Sequence, residues 1–99
     1  PAPVPVSAAR YDAGYLRNPP PAYPPLSRRL GEEGRVLLRV QVTSEGLPSV
    51  VEIEKSSGVD RLDQAARKSV LRWRFVPARQ GDLAVASWVD VPIQFNLKE

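Results

Sequence analysis

The chain has no cysteine and no histidine in its 99 residues. The first absence removes disulfides and thiolate chemistry, without fixing a compartment. The second removes the commonest general base and the commonest metal ligand. No apolar run approaches the roughly 20 residues that cross a bilayer as a helix, and no signal peptide is visible. Charge of one sign is scarce as well. Fourteen Lys and Arg against eleven Asp and Glu leave a net +3, too mild and diffuse to imply nucleic acid by itself. A chain of this length makes one small domain at most.

Proline, by contrast, is plentiful and unevenly placed. Eight of eleven lie before Leu26, in Pro1-Ala-Pro-Val-Pro-Val6 and in Pro19-Pro20-Pro21-Ala-Tyr-Pro24-Pro25. The first cluster reads as the stump of an extended, semi-rigid polyproline-II spacer, so the chain is expected to be a fragment of a longer protein. Between the clusters Tyr11, Tyr15 and Leu16 are candidates to dock on a domain. The boundary is placed near Tyr23, with residues 1–22 as proline-rich spacer and 23–99 as the globular domain.

Periodicity supplies the elements. Pro25 to Leu30, with Gly31 behind, reads as a short helix. Gly34 to Thr43 alternates Val36, Leu38, Val40 and Val42 against more polar residues, a strand with one buried face. Ser44-Glu45-Gly46 is a hairpin turn, and Pro48 to Ser56 the returning strand, Val51 and Ile53 inward. A helix is expected from Asp60, with Asp60 as N-cap and Asp63 near a capping-box position. Its apolar stripe is Leu62, Ala65, Ala66, Ser69, Val70 and Trp73, and Arg61, Arg67, Lys68 and Arg72 form a solvated opposite face. After Phe75-Val76-Pro77, Gly81-Asp82 turns the chain into a last strand, Val85 to Leu97.

That last strand is the most informative stretch. Val85, Val89, Val91, Ile93, Phe95 and Leu97 share one parity, interrupted only by Ser87, while Trp88, Asp90, Pro92, Gln94 and Asn96 take the other. Proline cannot donate a ladder hydrogen bond and is confined almost entirely to edges, first positions and bulges. With only Lys98 and Glu99 beyond Leu97, the edge is expected to be uncovered. An uncovered edge is a liability and also the means by which proteins bind extended peptides. The fold class is therefore α+β: a three-stranded antiparallel sheet built from a β-hairpin and an edge strand, helices packed on one face, preceded by a proline-rich extended segment. If the hairpin's first strand is central, the second and last strands are the two edges, which agrees with Pro92.

Catalysis has little to work with. Asp60, Asp63, Glu52 and Glu54 sit at cap and strand-surface positions, so no catalytic residue, metal site or cofactor is assigned. Ser56-Ser57-Gly58 reads as a turn and not as a phosphate loop. Tyr23, Trp73 and Phe75 read as packing residues. Trp88 is the exception, an indole on the polar side of a strand, where it either covers the N-terminal segment or lies beside a peptide. Two alternatives to a peptide binder stay open. A small basic α+β nucleic-acid module would use Arg67, Lys68, Arg72 and Arg74, but the sheet's polar face carries Glu52, Glu54 and Asp90 and no set of stacking aromatics. A cell-wall glycan binder would use Trp88 and the tyrosines.

In order, Tyr23-Pro24, Glu33-Gly34-Arg35-Val36, Ser44-x-Gly46, Ser56-Ser57-Gly58, Leu62-Asp63-x-Ala65-Ala66, Trp73-Arg74-Phe75-x-Pro77 and Val91-Pro92-Ile93-x-Phe95 resemble the C-terminal domain of the TonB energy-transducer family. No single piece is specific; the ordered set, from about Asn18 to Leu97, is. The resemblance implies a periplasmic, non-enzymatic domain tethered by the spacer to an inner-membrane helix absent here. That helix works with an ExbB–ExbD-type proton-driven complex, and peptidoglycan is a further candidate partner. The domain engages the Ton box of an outer-membrane transporter by strand addition, so that siderophore, haem or cobalamin uptake proceeds. Carried over by position, the partner-binding residues are Arg17 and Asn18 before the Tyr-Pro pair, and Trp88, Val89, Asp90, Val91, Pro92, Ile93, Gln94 and Asn96 on the last strand. The isolated domain is expected to be a monomer or weak dimer, with no nucleic-acid partner.

Overall fold

Short-range patterning explains most of the elements. The computed structural model describes residues 6–13 and 16–97. In chain order they form β1 (Val6–Ser7), α1 (Pro25–Leu30), β2 (Gly34–Val42), β3 (Pro48–Lys55), α2 (Asp60–Val70), β4 (Ala78–Gln80), β5 (Leu83–Val85) and β6 (Ser87–Phe95). Pro25 opens α1 where its missing N–H is no loss, and Gly31, at φ +71°, closes it in the left-handed conformation. The strands assemble into an antiparallel sheet in the order β3-β2-β6 and a second, smaller one in the order β1-β4-β5.

The α+β class, the three-stranded sheet and the central position of β2 are as the sequence predicts. On β2, Val36, Leu38, Val40 and Val42 are fully buried. They meet Val91, Ile93 and Phe95 of β6, with Leu62, Ala66 and Val70 of α2 and the aromatics Trp73 and Phe75 completing the core. Each buried aliphatic or aromatic side chain contributes about 1.5–3 kcal/mol. Ile53 is only half-buried and packs at the margin, while Val51 is the fully inward residue of β3.

Gly46 joins the hairpin to the core. It has φ +82°, its carbonyl accepts the Phe75 N–H at 2.9 Å, and a Cβ there would lie 2.2 Å from the Phe75 carbonyl oxygen. Only glycine permits that approach.

Four expectations are corrected. The last strand is not continuous: Val85 belongs to the β4–β5 hairpin around Gly81-Asp82, and β6 begins at Ser87, the residue that breaks the alternation. Helix α2 ends at Val70, so Trp73 is buried from a loop and not from the helical stripe. Asp60 does not cap α2. Val59 is the N-cap, without a side-chain bond, and the hydrogen-bonding carboxylate is Asp63. The basic face is not simply solvated, since Arg61 and Arg67 are both engaged. Pro1 to Pro5, the bulk of the first proline cluster, and Tyr15 lie outside the described residues.

Candidate functional site

The backbone of a strand residue points its N–H and C=O to the same neighbour, and successive residues alternate. On β2 the side of each parity can be read from its ends. Thr43 donates its N–H to the Leu47 carbonyl at 2.8 Å, and the Gln41 carbonyl accepts the Ser49 hydroxyl at 3.1 Å. Odd residues of β2 therefore face β3. The Gly34 carbonyl accepts from Gln94 Nε2 at 3.4 Å, placing even residues toward β6. The register pairs Val36 with Ile93, Leu38 with Val91 and Val40 with Val89, without a shift along the strand. Val89, Val91 and Ile93 are thus the ladder partners of β2. Trp88, Asp90, Pro92 and Gln94 aim their backbone groups outward, where no strand pairs with β6 among the described residues. Pro92 contributes a carbonyl and no N–H, so the open edge lacks one donor at its middle.

The side chains on this rim sort in the same way. Val91 and Ile93 are core residues that build the strand, and Val89 is half-buried; Asp90, Pro92 and Gln94 are exposed. Trp88 is 42% exposed and lies under the Arg39 guanidinium, 4.7 Å from ring centroid to Cζ. Arg39 is directly opposite Asp90 in the register, yet it stacks diagonally on the indole. Trp88 forms a cation–π platform on the open face beside the rim. Asn96 follows the strand, and the Leu97 N–H is held by Glu33 Oε2 at 2.7 Å.

The segment before Tyr23 is fastened by side chains, because Pro19 to Pro21 offer no donors. The Asn18 amide imitates a peptide unit. Its Oδ1 accepts the Arg74 N–H at 2.7 Å, and its Nδ2 donates to the carbonyls of Arg74 at 2.7 Å and Tyr11 at 3.1 Å. The Trp73 indole N–H then donates to the Pro19 carbonyl at 2.8 Å. Arg17 adopts φ +53°, a left-handed conformation unusual for its type, as the chain turns into this clamp. Arg17 is exposed, whereas the Asn18 side chain is fully committed. Upstream, Ala9 is buried, Arg10 and Val76 exchange backbone hydrogen bonds of 2.9 and 2.8 Å, and Tyr11 stacks on Trp73 at 5.7 Å. Tyr11 docks as the sequence suggested.

Tyr23 fixes the start of the domain to the end of β6. Its ring meets Phe95 edge-to-face at 5.3 Å, and its hydroxyl donates to the Glu32 carbonyl. Burial, then the neighbouring Glu33 carboxylate, push the phenol above its ordinary pKa, keeping it a donor. Glu32 is held below the ordinary carboxylate value, first by its bond to Arg61.

At the start of α2, Asp63 collects the Ser56-Ser57 turn. It accepts from the Ser56 hydroxyl, from the Ser57 N–H at 2.9 Å and from the Ser57 hydroxyl at 2.7 Å. Burial raises its pKa, but these three bonds outweigh that and hold it below the ordinary value. The turn is structural. Among the described residues no group of three or more acidic side chains is arranged to hold a metal, and no helix is long and apolar enough to cross a membrane.

This arrangement matches known proteins in both sequence and shape. Residues 19–97 match the family model described as Gram-negative bacterial TonB protein C-terminal. The chain is 58% identical over 86 residues to Protein tonB2 of Pseudomonas aeruginosa, covering 87% of this chain and 32% of that protein. It is 42% identical over 81 residues to Protein TonB of Neisseria meningitidis serogroup B, covering 80% of this chain and 26% of that one. It therefore spans about a third or less of the length of these relatives. The solution NMR structure of the Pseudomonas aeruginosa TonB CTD superposes with a TM-score of 0.72 at 30% identity, over 85% of each chain. The chain belongs to the TonB C-terminal family.

Proposed function

We propose that this chain is the periplasmic, peptide-binding end of an energy-transducing protein, and that the outer edge of β6 receives the Ton box of an outer-membrane transporter as an added strand. The observation that carries this reading is the outward parity of Trp88, Asp90, Pro92 and Gln94 on a nine-residue strand with an unshifted ladder behind it. Backbone bonds to these residues supply affinity, and the Trp88 platform and Asp90 read side chains. Arg17 contributes from the rim of the N-terminal clamp, and Asn18 positions that clamp. Residues 1–22 are the end of a spacer, its last stretch docked through Tyr11 and Asn18, and 23–99 the binding domain.

In this reading the remainder of the protein supplies an inner-membrane helix coupled to an ExbB–ExbD-type complex. Force drawn from proton flow passes through the domain to open uptake of siderophore, haem or cobalamin. The role is mechanical and recognitive, with no catalytic step. Binding by the domain alone is micromolar or weaker, because ordering a flexible segment consumes much of the interaction energy. Tethering compensates by raising effective concentration. The isolated domain is a monomer or weak dimer, and Pro92 blunts self-pairing along the same edge.

The test is titration of the chain with synthetic Ton-box peptides, followed by amide shifts and calorimetry. Amides of residues 88–96 should shift, and Gln94→Pro should abolish binding while the rest of the spectrum stays native. Normal binding by a folded Gln94→Pro chain would rule out strand addition at β6.

A further inference from the structure

A second concave surface contains no residue of β6. Pro19, Pro20, Tyr23 and Pro24 face Ala65 and Lys68 of α2 across a cleft of about 650 Å³, within the range of ligand sites. The proline wall is rigid and offers rings with no donors, so little entropy is lost when it is covered. Three of its polar groups are already in use: the Pro19 carbonyl takes the Trp73 indole, the Tyr23 hydroxyl is donated to Glu32, and the Pro24 carbonyl takes the Arg28 N–H. Most of the surface that remains on this wall is apolar.

The charges on the rim are unequal in their commitments. Arg61 is bidentate to Glu32, at 3.2 and 2.8 Å, and Asp60 takes the Gln64 amide at 3.5 Å. Lys68 and Arg72 also border the cleft, and neither has an ion-pair partner among the described residues. Lys68 lies in the last turn of α2 and Arg72 in the turn that follows it, so both cations sit at the same end of the helix. The carbonyl end of α2 makes cations tolerable there but supplies no counter-ion.

We propose that this cleft binds an acidic, apolar, extended segment of a partner protein, with its carboxylates on Lys68 and Arg72 and its apolar side chains against the proline wall. The site is independent of strand addition. Asp60 and Glu32 on or beside the rim set it against a polyphosphate backbone, whereas two unpaired cations suit well-separated carboxylates.

The probe is the heptapeptide Glu-Pro-Leu-Glu-Pro-Leu-Glu, whose prolines prevent it from pairing along β6. Titrated into the isotope-labelled chain, it should shift the amides of Ala65, Lys68, Ser69 and Arg72 and leave those of 88–94 in place. The double variant Lys68→Glu, Arg72→Glu should weaken binding about tenfold or more while Ton-box binding is unchanged. Lys-Pro-Leu-Lys-Pro-Leu-Lys should not bind. Absence of shifts on α2 at millimolar peptide, equal binding of the lysine peptide, or unchanged affinity in the double variant each overturns the proposal. None of these outcomes bears on the β6 edge.

Discussion

The two edges of the main sheet, β3 and β6, flank the same strand and are treated in opposite ways. Along β3 the pairing with β2 shifts register twice, between Leu37 and Leu38 and between Gln41 and Val42. Val51 pairs with Val40, whose backbone faces β6, so the Val51 carbonyl points away from the sheet. It is met there by Arg67 Nε of α2 at 3.1 Å. The outer face of β3 is thus interrupted by irregular pairing and closed at its middle by a guanidinium. Along β6 the ladder runs nine residues without a shift, and among the described residues no strand pairs with its outward groups. Protection of a sheet edge is a matter of side-chain reach as much as of strand order. One edge is capped at its middle by the helix that follows it in sequence; the other has no described strand against it.

The contrast can be broken most forcefully from behind. Val91→Pro removes a donor from the β2 ladder at a fully buried position and should cost about 4 kcal/mol or more, on the order of the whole stability of such a domain. Circular dichroism should report an unfolded chain, where Gln94→Pro, three residues on with the opposite parity, stays folded. If both variants fold equally well, the parity assigned to β6 is reversed.

The next effect concerns the element that closes β3. Asp63→Ala leaves the Ser57 N–H and the Ser56 hydroxyl without their acceptor, and the Ser57 hydroxyl with only the Val59 carbonyl at 3.2 Å, and should cost about 1–3 kcal/mol in urea denaturation. Because the folded pKa of Asp63 is depressed, its stabilisation is complete above the unfolded value of about 4 and is lost as pH falls through the folded value. Stability of the parent chain should therefore drop more steeply between pH 5 and pH 3 than that of Asp63→Asn. Parallel pH curves would show that the Ser56-Ser57 contacts do not discriminate the ionised form.

A smaller change sharpens the comparison itself. Arg67→Ala uncovers the Val51 carbonyl and should lower stability by about 1 kcal/mol. It should also raise self-association in sedimentation at high concentration, since β3 then presents an uncapped edge. A chain that remains as monomeric as the parent would mean that the register shifts alone protect β3. The smallest effect is expected from Trp88→Ala, which removes an exposed cation–π pair worth about 0.5–1 kcal/mol. Melting should hardly move, while Ton-box affinity falls as the platform is lost and Arg39 is freed to approach Asp90. A Trp88→Ala chain with parent affinity would leave recognition to the backbone and Asp90.

Much of this was legible before the fold was known. Period-two runs marked β2, β3 and β6, and Pro92 marked the last as an edge, because a missing N–H carries the same meaning wherever it occurs. Ser87 is visible as an interruption, but not that the chain passes from one sheet to the other just before it, at Ala86. The little sheet of β1, β4 and β5 has strands of two and three residues, too short to show a period. Asp63 reads from sequence as a carboxylate near a capping-box position, yet its partners are serines of the preceding turn and not an N-cap residue. Arg67 and Arg39 looked like surface charges. Their partners, a carbonyl on β3 and an indole on β6, lie 16 and 49 positions away in sequence.

Alternation, glycine turns and proline placement determined by themselves the three long strands, their buried face and the last strand's place at an edge. These are local properties: side-chain parity and the presence of an N–H belong to a residue in any strand it joins. Tertiary structure alone decided which edge is capped, where the proline segment is clamped and which cations find an ion-pair partner among the described residues. Long side chains reach several ångströms across elements, and their choice among competing partners is settled only when packing has placed those partners within reach.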